Sequence, residues 1–140
     1  MKAIILSFLL CTPIFVFGSD AKAIPLTSAT AGDIKQMWET VPMASDPTKK
    51  VSSAPAVAAA HRVFMAIPLT GMSREDVISL LGDPVTSSDS NFNVPFYRPP
   101  KKGMVYRFDT GTGGWQFDLI LDKKNHVTNV ITRGIGEFRD

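Results

Sequence analysis

His61, His126, Asp109, Asp118 and Asp122 are the side chains of this 140-residue chain best suited to proton transfer. An imidazole titrates near neutrality, and two carboxylates in unlike surroundings can divide the acid and base roles between them. Their spacing argues against such use. His61 sits beside Ala60 and Phe64 with no acidic or hydroxyl residue three or four positions away, so it reads as a hydrogen-bonded histidine at the edge of a core. His126 falls in a short loop between strands and reads as solvated. The three aspartates occupy strand or turn positions, where a solvated polar role is the default. No His, Asp and Glu residues recur at metal-ligand spacing. The "GTGG" run at 111–114 is a weak phosphate loop, because it joins two strands instead of opening a helix. The "PPKK" run at 99–102 offers two lysines that serve solubility or steer an acidic partner. The chain therefore reads as non-enzymatic, with no cofactor and no metal.

The first residues have the pattern of a secretory signal. Lys2 precedes an apolar run from Ala3 to Phe17, shorter than the roughly 20 residues a bilayer span needs. Small residues then mark cleavage after Ala23, or alternatively after Gly18, so residues 1–23 read as a signal peptide and the protein as exported to the periplasm. Cys11, the single cysteine, lies within that run behind Leu10, which is too large for the position before a lipidated cysteine. Beyond the signal there is no disulfide to form, and the remaining charge is nearly balanced. With no dense Lys/Arg run, nucleic acid is not an expected partner.

Residues 24–53 read as an N-terminal extension. In it "TAGDIKQMWETV", 30–41, places Ile34, Met37, Trp38 and Val41 on one helical face behind a Thr30–Asp33 cap. Pro42 ends that helix, and 42–53 is Pro-, Ser- and Lys-rich, as a linker would be. Such an isolated amphipathic helix must dock on the open face of a sheet or on a partner. Residues 54–140 read as the domain proper. Ser53 caps a helix over 54–67 with Val57, Ala60, His61, Phe64 and Ile67 on one face. "GMSREDVISLLGDP", 71–84, adds a second helix capped by Ser73 and Asp76 and stopped by Gly82 and Pro84. The two are expected to pair tightly. After a proline-rich loop over 83–102 the period changes from 3.6 to 2, giving strands at "MVYRFD", "WQFDLIL" and "VTNVITR". The expected fold is α+β: a two-helix pair packed on a three-stranded antiparallel sheet, with an extra N-terminal helix.

The order "GMSREDVISLLGDP", long loop, "MVYRFD" and "WQFDLILDKKNHVTNV" resembles the SmpA/OmlA domain over about residues 57–133. That family is typified by the small lipoprotein of the outer-membrane β-barrel assembly machinery, and its fold is similar to one repeat of β-lactamase inhibitor protein. The resemblance implies a cell-envelope protein-binding or scaffolding module whose partner is another envelope protein, with possible peripheral outer-membrane association. The alternative it implies is an inhibitor of a secreted or periplasmic enzyme, which presents aromatic and charged residues from a concave sheet face. On either reading the surplus aromatic positions are the candidate partner-binding residues: Trp38 in the extension, and Phe92, Phe96, Tyr97 and Arg98 in the loop.

Overall fold

Two serines set the helical frame. Ser53 Oγ accepts from the Ala56 N–H and Ser73 Oγ from the Asp76 N–H, each at 3.1 Å, satisfying donors that a helix start leaves unpaired. Ser73 also donates its hydroxyl proton to Asp76 Oδ2 at 2.7 Å. The computed structural model describes residues 26–85 and 101–136. The expected signal peptide with Cys11, and the loop positions Phe92, Phe96, Tyr97 and Arg98, lie outside the described residues.

Within them the chain runs α1 (Ser28–Gln36), β1 (Thr40–Met43), β2 (Asp46–Ser52), α2 (Ala54–Ala66), α3 (Arg74–Leu81), β3 (Gly103–Asp109), β4 (Gly113–Leu121) and β5 (Val127–Gly136). The architecture is α+β, with β1–β2 as a two-stranded antiparallel sheet and β3–β4–β5 as a three-stranded antiparallel meander. The second helix and the three C-terminal strands fall where the sequence periodicity puts them. No helix among the described residues is long and apolar enough to cross a membrane.

One face of the meander carries the core. Met104, Tyr106 and Phe108 of β3 and Phe117, Leu119 and Leu121 of β4 are buried, as alternation requires. From above, α2 contributes Ala59, Ala60, Val63 and Phe64, and the Phe64 ring stacks on Phe117 at 4.0 Å, only 5° from parallel. Val77 and Leu81 bring α3 onto the same cluster. The α2–α3 link is held to the sheet by its backbone: the Gly71 N–H donates to Val127 C=O at 2.7 Å, and the Val127 N–H to Met72 C=O at 2.8 Å. Gly71 has φ +91°, which suits glycine and costs any other residue.

The N-terminal segment departs from expectation in three ways. First, α1 is capped by Thr27, whose hydroxyl accepts from the Thr30 N–H, and it stops at Gln36, so Met37 and Trp38 form a turn and Val41 lies in a strand. β-branched Thr40 and Val41 ahead of Pro42 disfavour helix there. Second, the expected linker 42–53 is a hairpin. Thr40 pairs with Ser52 and Val41 with Val51. Asp46 Oδ1 accepts from both the Thr48 N–H and the Thr48 hydroxyl, which fixes the turn. Third, the tightly paired helices are α1 and α2, not α2 and α3. Asp33 takes two hydrogen bonds from Arg62, at 2.8 and 3.0 Å, and Met37 enters the core at 1% exposure. The segment thus docks beside α2, on the face that α2 already covers, and not on the sheet's open face.

Trp38 closes this arrangement. Its indole N–H donates to Leu81 C=O at 2.8 Å, and its ring meets Phe108 edge-on at 5.3 Å. Trp38→Phe keeps most of the ring but leaves that carbonyl unpaired, and should lower unfolding stability by about 1–3 kcal/mol in a denaturant titration. The Asp33–Arg62 pair predicts an acid dependence. The Arg62 hydrogen bonds hold the Asp33 carboxyl below its ordinary 3.8, so its contribution is present above that pH and is lost as pH falls through the depressed value. Asp33→Asn should therefore show a smaller fall in melting temperature than the wild type between pH 5 and strongly acidic solution.

Candidate functional site

Among the described residues the candidate side chains serve local structure, and only Asp122 and His126 are brought together, with Oδ1 and Nδ1 3.9 Å apart at the β4–β5 turn. Asp109 Oδ2 accepts from Arg107 Nη2 at 2.8 Å, and its Oδ1 accepts from the Gly111 N–H at 2.8 Å. Asp118, 2% exposed, accepts from Gln116 Nε2 at 2.9 Å and from Arg133 Nε at 3.0 Å. The register sets Asp118 opposite Val105 and Asp109 opposite Gly114, so the two carboxylates are not cross-strand partners. Asp122 closes the β4–β5 turn by accepting from the Lys124 and His126 N–H groups, and these bonds, the His126 one foremost, hold its carboxyl below the ordinary value. His126 is half-exposed beside it, as a loop histidine should be.

His61 differs from expectation in its partner. Its ring lies 4.4 Å from that of Trp115, tilted by 31°, so an aromatic face holds it where a hydrogen bond was anticipated. The "GTGG" run is the β3–β4 turn, in which the Thr110 N–H donates to Gly113 C=O. Lys101 and Lys102 are exposed just before β3. Among the described residues no group of three or more His, Cys, Asp or Glu stands ready to hold a metal ion.

What the fold does build is a cleft of about 610 Å³ between the β1–β2 hairpin and the outer edge of β3. Buried Met37 and Phe108 form its apolar floor, with Met43 and Val51 on the hairpin side and Val85 opposite. Trp38, 43% exposed, lies on its rim, so this candidate residue serves both the core and the cleft. Lys49 and Lys50 line it from β2, and the Lys49 side chain is 60% exposed.

The edge of β3 is closed at two points along this cleft. Val105 C=O accepts from the Val85 N–H at 2.8 Å, and the Asp109 N–H donates to Ser52 Oγ at 3.3 Å. In an antiparallel ladder every second residue directs both backbone groups to the same side. Arg107, midway between Val105 and Asp109, therefore turns its N–H and C=O away from β4 and toward the cleft. Its side chain holds Asp109 through Nη2, while Nη1 is buried without a hydrogen-bond partner among the described residues.

Trp38 was visible in the sequence as a surplus aromatic. Lys49, Lys50, Ser52, Val85 and Arg107 were not, because they come together only once 40–52 folds as a hairpin against β3. No protein-family model, no curated protein and no solved structure matches this chain.

The hairpin's seat on the β3–β4 turn sets the width of the cleft. A Cβ at Gly111, which has φ +89°, would stand 3.2 Å from the Met43 methyl. Gly111→Ala should cost about 1–3 kcal/mol through backbone strain. It should also shift the Met43 and Val51 methyl resonances while the ring resonances of Phe64 and Phe117 in the core stay in place.

Proposed function

We propose that this chain is a non-catalytic protein-binding or scaffolding module, exported to the cell envelope and working there in outer-membrane assembly or envelope integrity. The observation that carries the reading is the cleft beside β3. It combines an apolar floor, a half-exposed indole and a stretch of sheet edge whose backbone groups are directed into it, which is the equipment of a recognition site. The signal-like residues 1–23 support export, and the SmpA/OmlA-like order of motifs supports an envelope address.

The finer fold belongs to the same proposal. Two helices followed by a three-stranded meander, with α2 and α3 on one face, is the order expected of one β-lactamase-inhibitor-protein repeat. The inhibitor alternative draws less support from this molecule. An inhibiting sheet face should display aromatic residues, whereas the face opposite the core here carries Gln116 and Asp118, 3% and 2% exposed, bonded to each other.

A photo-reactive residue tests the reading in intact cells. Placed at Thr40, which lines the cleft, it should give a discrete adduct with one envelope protein. Placed at Met65, 61% exposed on α2 and away from the cleft, it should not. Equal background labelling from both positions would overturn the proposal.

A further inference from the structure

We infer that the cleft takes a short extended segment of a partner protein that carries an acidic side chain, seated as a strand against β3 at Arg107. The inference rests on the protein-binding reading and names the chemistry of what is bound. Three features of the cleft point the same way.

The first is the backbone. Among the described residues, between Val85 at Val105 and Ser52 at Asp109, the edge of β3 offers one N–H and one C=O, both from Arg107. Four residues at about 3.3 Å each leave roughly 13 Å of edge, room for about three residues of extended chain. A residue set opposite Arg107 can exchange both hydrogen bonds with it, as in a strand pair. Neither a helix nor a proline-rich segment provides that donor and acceptor in the required spacing.

The second is the floor. In an extended segment alternate side chains point the same way, so those directed inward meet Met37 and Phe108 and pass beside the Trp38 indole. The third is charge. Lys49, whose Nζ lies 3.5 Å from Asp46 Oδ2, and Lys50 line the hairpin wall, whereas Asp109, the acidic residue of the lining among the described residues, has its two oxygens engaged by Arg107 and Gly111. With Asp109 set against Arg107 and Asp46 against Lys49, Lys50 leaves the described charges around the cleft with a positive surplus, and the outward side chain of the guest is favoured as a carboxylate.

The test uses the full chain, labelled with nitrogen-15, and three blocked peptides: acetyl-Val-Glu-Val-Glu-Val-amide, its counterpart with lysine in place of glutamate, and the glutamate peptide N-methylated at both glutamates, the residues whose N–H groups face Arg107 when the valines face the floor. The glutamate peptide should shift the Arg107 amide and Trp38 indole resonances and slow exchange of the Arg107 amide with solvent. The lysine and N-methylated peptides should bind at least tenfold more weakly, and added salt should weaken the glutamate peptide. Lys49→Glu with Lys50→Glu should reverse the preference between glutamate and lysine peptides; because the peptide pair reports charge on the unaltered protein, the result does not depend on that variant folding. Equal affinity for the three peptides, or no shift at Arg107 with millimolar glutamate peptide, would overturn the inference. If position 40 still gives its adduct in cells, protein binding stands and the strand-seated acidic guest falls. If both experiments fail, both readings fall together.

Discussion

Two carbonyl groups at the end of α3 set the terms for the rest of the molecule. A helix leaves its last carbonyls without partners, and inside a core each must be met or carry a cost of about 1–3 kcal/mol. Here Leu81 C=O is met by the Trp38 indole and Gly82 C=O by the Tyr106 hydroxyl, both at 2.8 Å. One donor comes from the N-terminal segment and the other from β3, so the end of α3 is the point at which three parts of the chain are tied. Burial and the nearby Asp83 charge push the Tyr106 phenol well above its ordinary value, keeping the hydroxyl proton available to donate. Gly82 itself has φ +89° and ψ −177°, a conformation open to little but glycine, and a Cβ there would stand 3.2 Å from the indole.

The reach of Trp38 to that carbonyl explains why α1 ends when it does. A helix continued through Val41 would turn successive side chains about its own axis and would not hold Met37 in the core with Trp38 over Phe108. By leaving the helix after Gln36, the chain puts Met37 inward, lays the indole across Tyr106 and Phe108, and starts β1 within two residues of it. The hairpin is then delivered beside β3, where Ser52 takes the Asp109 N–H. The cleft is thus a by-product of capping α3 from the N-terminal side, which places its floor and one wall in the same cooperative unit as the core.

Much of this fold was legible in the sequence, and the boundary of legibility is physical. The cap serines, the apolar stripes of α2 and α3, the Gly82–Pro84 stop and the alternation in β3 and β4 are local signals, and tertiary structure had no cause to override them. Residues 40–52 contained no such signal. Two prolines, two lysines and two serines depress strand propensity, and a two-stranded hairpin is marginal alone. It exists here because Met43 and Val51 rest on the Gly111 turn and Ser52 reaches Asp109, contacts more than fifty residues distant in the chain. The same distance hid the cleft. Trp38 was conspicuous by type, but Arg107 looked like one polar residue in an alternating strand, and only the parity of β3 and its two blocked neighbours give its backbone significance.

The way the sheet edges are finished also bears on which guest the cleft admits. Exposed strand edges invite pairing with other copies of the same chain, and folds that avoid this cover or charge them. At the start of β5 the Gly71–Met72 link pairs with Val127, and at β3 the edge is closed by Val85 and Ser52 on either side of Arg107. Where no described residue pairs with the β3 edge, it is recessed behind the hairpin and flanked by Lys49 and Lys50. Two copies meeting edge to edge through β3 would bring four lysines together, at a cost that an acidic strand does not incur. On the proposed reading, the charge that keeps the edge from pairing with itself is also the charge that would favour an acidic guest, so protection against self-association and specificity would rest on the same wall of the cleft.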